Sequence, residues 1–407
     1  MSHLPLQTTV TAYFDVPTTP VFILSDPVKG KLDDTTYVLA GDIATDITAD
    51  VTNVKIKRGR SRWLNEITSG TFSVAFDNKD GDYNPIGAGA YTNNIVPGKR
   101  IQIDAGGLPI FDGLVDDWDV TYQLNKNSIA VAVGSDVLTR LGRQKIDSFT
   151  TTSELSGARV NAILDQPEVD FPAGQRNIDT GLTTLQADTI PADVDVVTYL
   201  QLVSRTESGR LFAAADGVLT FQQRNTAPST ANVPKLADDG TGIPYVGLDI
   251  AVGSELLYNR AEVTREGGTT QVEDNTASQT TYGIRTVVQN GLLFNSDIDA
   301  ESYAEYLVNK YATPEARFSA IDINLVTLTT QQAATVCALE LGDVVQIVFT
   351  APGNDPIDQY AIVEGIAHDI NLNTHRVQLA LSSLQEGAFI LDDQVFGVLD
   401  SDAVLSY

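Results

Sequence analysis

Imidazole chemistry in these 407 residues rests on three histidines, His3, His368 and His375. His368 and His375 flank a turn at Leu372-Asn373 and are placed to face each other across a hairpin. Zinc wants a tetrahedral set of three or four protein ligands, and two imidazoles fall short of it. Glu364 and His368 sit four residues apart, which on a strand is about 13 Å, too far to share a proton. Asp77-Asn78-Lys79-Asp80-Gly81-Asp82 has the look of a calcium loop. Lys79 and Gly81 stand where oxygen ligands are required, however, and no Glu arrives at the twelfth place, so a tight turn is expected. Asp112, Asp116 and Asp117 are close enough in sequence to suggest paired carboxylates for glycoside cleavage. Among 53 acidic residues such a cluster is unremarkable. A phosphate-binding loop ending in Lys-Ser or Lys-Thr, a Gly-x-Ser-x-Gly elbow and a His-Glu-x-x-His pair are all missing. The expectation is a protein that is not an enzyme, with no catalytic, cofactor-binding or metal-ligating residues.

What remains is contact chemistry. Lys55, Lys57, Arg58, Arg60 and Arg62 form a basic run in a chain of net charge −27. One reading is the solvated face of an edge strand, charged against sheet-to-sheet pairing. The other is an electrostatic contact with an acidic neighbour, a second copy of the chain included. Trp63 beside the run, like Trp118, suits a core or interface anchor rather than a ligand stacker. Residues 386–407 hold five acidic residues and no basic one, yet carry Phe389, Ile390, Leu391, Val395, Phe396 and Val398. An arm that docks on a partner through Phe389 and Phe396 is expected there. The acidic surface excludes non-specific binding to a nucleic-acid backbone, since phosphates are repelled over most of it.

Apolar residues alternate with polar ones at Val54 and Ile56, at Phe72, Val74 and Phe76, at Ile101 and Ile103, and at Ile129, Val131 and Val133. Each segment is short and bounded by Gly, Asp, Asn or Pro, the signature of strands in a compact sheet or barrel. Cys337 is the only cysteine, so no intrachain disulfide forms. The start of the chain is not built like a secretory signal, and apolar stretches such as Leu211 to Ala215 are strand-sized, so no membrane span is expected.

The strand pattern occurs twice. Pro97-Gly98-Lys99-Arg100-Ile101-Gln102-Ile103 precedes Phe111-Asp112-Gly113-Leu114-Val115, and Leu124-Asn125 opens a hairpin that ends at Ser135. Leu341-Gly342-Asp343-Val344-Val345-Gln346-Ile347 precedes Val363-Glu364-Gly365-Ile366, and Leu372-Asn373 opens one that ends at Ser383. A gap-free alignment sets Leu124 on Leu372, Ile129 on Val377, Val131 on Leu379, Val133 on Leu381 and Ser135 on Ser383. Phe72 finds its counterpart in Phe318 to Ile323, and Asn53 in Asn259 to Val263.

Between the copies, Val160, Ile163 and Leu164 mark one short helix and Val196, Val197, Leu200 and Val203 a second. A hairpin is expected to turn at Asp216-Gly217. The fold expected is mainly β with α+β insertions: two related small β-barrels and a smaller α+β domain. The divisions are an N-terminal arm and strands at 1–49, a first barrel at 50–142 and a small α+β domain at 143–249. A second barrel at 250–385 holds an inserted helix at 299–311, capped by Ser296 and Asp299 and stopped before Pro314. A docking arm at 386–407 follows.

From Phe22 to about Asp136 the sequence resembles minor tail proteins of long-tailed actinobacteriophages. The resemblance is carried by Gly30-Lys31-Leu32-Asp33, Tyr37-Val38-Leu39, Asp46-Ile47-Thr48 and Arg58-Gly59-Arg60-Ser61-Arg62. It continues in Phe76-Asp77-Asn78-Lys79-Asp80-Gly81-Asp82-Tyr83-Asn84-Pro85, Asn94-Ile95-Val96-Pro97-Gly98-Lys99-Arg100 and Phe111-Asp112-Gly113-Leu114-Val115-Asp116-Asp117-Trp118. Gly342-Asp343-Val344-Val345 and Val363-Glu364-Gly365-Ile366-Ala367-His368-Asp369-Ile370 are similar to the second barrel of tail baseplate hub proteins. The resemblance implies two barrels like those of the tail tube, assembled as a homotrimer at the virion tail tip. Three chains of two barrels then adapt a six-fold tube to a three-fold tip and line the channel through which the genome leaves unbound. Implied partners are further copies of the chain, a distal tail or tail tube protein, a tape measure protein, and other minor tail or fibre proteins. The alternatives are a hexameric distal tail protein and a carbohydrate-binding or cell-wall-degrading tail protein. With only residues 386–407 after the second barrel, no peptidase or glycosidase module is expected.

Overall fold

Alternating apolar residues bury one face only when strands lie side by side. In the computed structural model of the chain most of them do so in one thirteen-stranded sheet. The structure describes residues 4–14, 27, 43–61, 66–87, 89–122, 128–224, 233–253, 255–314, 316–350, 353 and 356–384. Thr8–Phe14 (β1), Ile43–Asp46 (β2), Val51–Gly59 (β3), Thr68–Asp77 (β4), Arg100–Ala105 (β5), Leu108–Tyr122 (β6) and Ser128–Ser135 (β7) come first. They lie in the order β3-β4-β7-β6-β5-β1-β2, antiparallel throughout. Val137–Gly142 (α1) follows, its N-terminus capped by the Asp136 carboxylate, which also accepts from the Gly70 amide.

The middle region has its own core. Lys145–Ile146 (β8), Phe149–Thr150 (β9) and Glu154–Leu155 (β10) lead into Ser156–Leu164 (α2). Arg176–Ile178 (β11), Thr184–Leu185 (β12), Thr189–Ile190 (β13) and Val194–Asp195 (β14) lead into Val196–Glu207 (α3). Arg210–Ala213 (β15) and Leu219–Gln222 (β16) close it as a hairpin, turning at Asp216-Gly217 with Gly217 at φ 85°. Val160, Ile163 and Leu164 of α2 and Val196, Leu200 and Val203 of α3 bury together, the faces their spacing marks out.

The chain then returns to the large sheet through Lys235–Ala237 (β17) and Gly247–Val252 (β18). An excursion follows: Arg260–Arg265 (β19), Gln271–Asp274 (β20), Thr276–Tyr282 (α4), Thr286–Leu292 (β21) and Asp297–Tyr311 (α5). Its three strands form a separate sheet against which α5 packs Tyr303, Leu307 and Tyr311. Ser296 and Asp299 cap α5 reciprocally. Ala316–Asn324 (β22), Thr330–Cys337 (α6), Val344–Phe349 (β23), Ile357–Asn371 (β24) and His375–Ser383 (β25) complete the large sheet.

The repeat is present as topology. The second run has the order β18-β22-β25-β24-β23-β17, matching the order β3-β4-β7-β6-β5-β1, except that β17 lies parallel to β23 where β1 is antiparallel to β5. Two features differ from the sequence reading. The place of β3 is taken by β18; the Asn259–Val263 alternation belongs to the excursion. The gap-free hairpin alignment is also one residue out of phase. Val377, Leu379 and Leu381 are buried, whereas Ile129 and Val133 are exposed and Ala130 and Ala132 carry the core face of β7. The matching pairs are Phe76–Ala130 with Ile323–Val377, and Val74–Ala132 with Ile321–Leu379. Alternation has a period of two, so a slip of one residue turns every side chain to the other face. The two runs are not closed barrels. The C-terminal half of β24 pairs with β3 of the other run, so both merge into one open sheet over one continuous core.

Candidate functional site: the seam between the two runs

Lys55, Lys57 and Arg58 of the basic run lie on β3 at this seam, and Arg60 follows directly after it. β3 is flanked by β24 and β4 and is therefore interior, not an edge. Lys55 and Lys57 are exposed, and Arg58 and Arg60 turn inward. Arg62, Trp63, Phe389 and Phe396 lie outside the described residues, as do the rest of the C-terminal arm and the Gly30–Leu39 motifs.

The inward arginines are held by carboxylates from the second run. Arg58 Nη1 donates to Glu340 Oε1 at 2.6 Å and to the Ala213 carbonyl at 3.4 Å. Glu364, fully buried, accepts from Arg60 Nε at 2.7 Å, from Arg210 Nη2 at 3.1 Å and from the Ser382 hydroxyl at 2.8 Å. One carboxylate thus joins the first run, the middle region and the second run. Burial pushes the Glu364 carboxyl up, but Arg210 and Arg60 outweigh it and hold it below the usual glutamate range. The backbones also meet closely here. Gly59 stands opposite Gly365 at φ 86°, and a Cβ on Gly59 would come within 2.3 Å of the Glu364 carbonyl oxygen.

His368 and His375 do meet, diagonally across the β24–β25 ladder, with His368 Nδ1 3.0 Å from His375 Nε2. Both are buried. Burial, reinforced by the neighbouring imidazole and Arg58, drives His368 well below its ordinary value. Burial alone takes His375 down to about 4. Both are neutral at pH 7, one donating to the other. Among the described residues no third ligating side chain joins them.

The other candidate groups are structural. Asp112 is held by Arg100 through a two-pronged contact at 2.9 and 2.5 Å, and Asp116 accepts from Ser135 and Arg143. Each of the two carboxylates is thus held by its own arginine. In the Asp77–Asp82 turn Asn78 donates to Asn84 and Ser128 and accepts from the Tyr83 amide. That turn delivers Tyr83 into an aromatic stack with Phe76, 4.6 Å away, and Trp118. A cleft of about 70 Å³ lined by Arg60, Gln201, Arg210 and Tyr303 is far below the roughly 300 Å³ at which ligand pockets begin.

Sequence reading missed three hubs of this architecture: Glu364 as a seam residue, Arg159 and Glu207. Arg159, wholly buried, donates to Glu154, Tyr199 and the carbonyls of Thr152 and Gln186. Glu207 accepts from Ser156 and from the amides of Leu182 and Thr183. Arg159 and Glu207 are charges on the buried faces of α2 and α3, beside the apolar residues whose spacing marks those faces, and that placement was the available signal.

No family model matches the sequence, and no curated protein does. Solved structures do match. The 43 kDa tail protein of prophage MuSo2 from Shewanella oneidensis superposes with a TM-score of 0.58 at 13% identity, over 93% of this chain and 97% of that one. A tail protein from Neisseria meningitidis MC58 superposes with a TM-score of 0.58 at 10% identity, over 96% and 98%. At such identities the likeness is one of fold, and it spans both proteins almost end to end. This chain has the mainly β fold of these tail proteins.

Proposed function

We propose that the protein is a structural component of a phage tail tip, a hub that assembles as a trimer and adapts a six-fold tube to a three-fold tip. The observation that carries this reading is the doubled strand order within one chain, in a fold shared over nearly its whole length with two tail proteins, one of them from a prophage. Three chains with two equivalent runs present six similar units, which suits contact with a six-fold tube on one side. The charge of −27 suits a channel wall past which DNA moves without adhering. The partners are other copies of the chain and neighbouring tail proteins, including a distal tail or tube protein and a tape measure protein. The acidic arm at 386–407, with Phe389 and Phe396, and the exposed Lys55 and Lys57 are the contacts offered to them. The role is not enzymatic: the carboxylates and imidazoles in view hold the fold together.

Imaging of tail tips that contain this chain tests the proposal by counting copies. Three copies around the tail axis are expected. Six would replace the hub by a distal tail ring, and absence from the tail would overturn both.

A further inference from the structure

The seam inside the chain has an unfilled counterpart on its surface. In the second run β24 is paired twice along the side away from β25. Its N-terminal half takes β23, and its C-terminal half, Gly365 to Asn371, takes β3. The equivalent strand of the first run, β6, takes β5 along Leu108 to Leu114. Along Asp116–Tyr122 the side of β6 away from β7 carries no strand among the described residues. The equivalent of β3, β18, pairs with β22 on one side and with no strand on the other among the described residues. The chain therefore contains one complete seam and, far apart in the sheet, the two halves of another.

We propose that the Gly247–Val252 edge of one chain pairs antiparallel with the Asp116–Tyr122 edge of a second copy, repeating the ladder between β3 and β24. Transferring the observed register through the repeat sets Leu248 opposite Tyr122, Asp249 opposite Thr121 and Ile250 opposite Val120. Apolar residues then meet on one face and polar ones on the other, as alternation requires. The template positions agree. Where the ladder exists, Val54, Ile370, Ile56 and His368 are all buried. At the open counterparts Tyr122 is 62% exposed and Ile250 is 40% exposed. Asp117, Asp119 and Asp249 place like charge on both edges, so association strengthens as salt screens them. Because two different edges meet, copies join head to tail and form either a closed ring or a filament. Closure at three chains rests on the tail-hub reading; the edge pairing does not.

The test uses the full-length chain with Leu248→Cys and Tyr122→Cys together. Native Cys337 does not compete, since it is buried and burial pushes its thiol up to about 12. Light scattering is expected to show a salt-promoted trimer. Oxidation is expected to give covalent dimers and trimers on a non-reducing gel. The out-of-register pair Asp249→Cys and Tyr122→Cys should cross-link about tenfold less, because those side chains lie on opposite faces. Ile250→Lys should weaken association about tenfold while leaving the far-ultraviolet spectrum of the chain unchanged. A trimer that the in-register pair fails to cross-link overturns the edge pairing and leaves the tail-hub reading standing. Cross-linked filaments uphold the pairing and overturn closure at three. A chain that stays monomeric and uncross-linked at every salt concentration overturns the pairing, and tail imaging then judges the hub reading separately.

Discussion

Glu364 shows how one side chain can decide a fold's connectivity. Its carboxylate sits between two guanidiniums from different parts of the chain, with Ser382 filling a remaining lone pair. Removing one partner of a buried charged set leaves the others without compensation, which typically costs 3–5 kcal/mol. Glu364→Gln keeps the shape and removes the charge, so we expect a loss of about 3 kcal/mol in urea unfolding. The histidine pair gives a pH signature of opposite origin. Both imidazoles are held neutral in the folded state, and the unfolded chain takes up protons near the ordinary histidine value of 6.5. Stability is therefore full above pH 6.5 and falls as the pH drops towards about 4, by about 1.4 kcal/mol per pH unit for each histidine. Thermal melts between pH 7 and 4 should show this slope, and His375→Gln should flatten it.

At the scale of elements the seam depends on a close crossing of β3 and β24. Gly59 combines a left-handed backbone with a neighbouring carbonyl where a Cβ would stand. Gly59→Ala should cost about 2–3 kcal/mol through strain and displacement of β24, measured as a lower urea midpoint. The capping box of α5 offers a milder control. Ser296→Ala should cost about 1 kcal/mol, because the Asp299 amide loses its acceptor, and should leave the seam untouched. Elements were the level most legible in the sequence. The helices at 156–164, 196–207 and 297–311 follow from apolar spacing and caps, and the strands from alternation bounded by turn residues. The phase of β7 was not legible. Ile129, Val131 and Val133 look like a core face, yet the small residues Ala130 and Ala132 lie inward because bulky Phe72, Phe76 and Phe111 already fill the space there. The basic run was read as one surface because charge runs mark strands without telling which face is inside. The partners that bury Arg58 and Arg60 are roughly three hundred residues away in sequence.

For the whole molecule, charge and topology make separate statements. A net charge of −27 predicts no retardation of duplex DNA in a gel even at low salt, where cationic proteins bind most strongly. A shift at 50 mM salt would remove the channel-wall reading. Doubling of the strand order depends on the backbone path and needs no particular side chain. That explains how a fold can be shared at 10–13% identity, while the gap-free alignment of the two halves of this chain slips.

The amino-acid sequence alone determined the class of structure, the existence of the repeat and the turn at Asp77–Asp82. Each follows from local pattern: period or turn chemistry. Tertiary structure alone decided that the two repeats share a sheet through β3 and β24, that two of the arginines are internal struts, and which strand edges have no partner strand among the described residues. Those outcomes depend on pairings between segments hundreds of residues apart, whose free energy comes from register and burial that no local window contains.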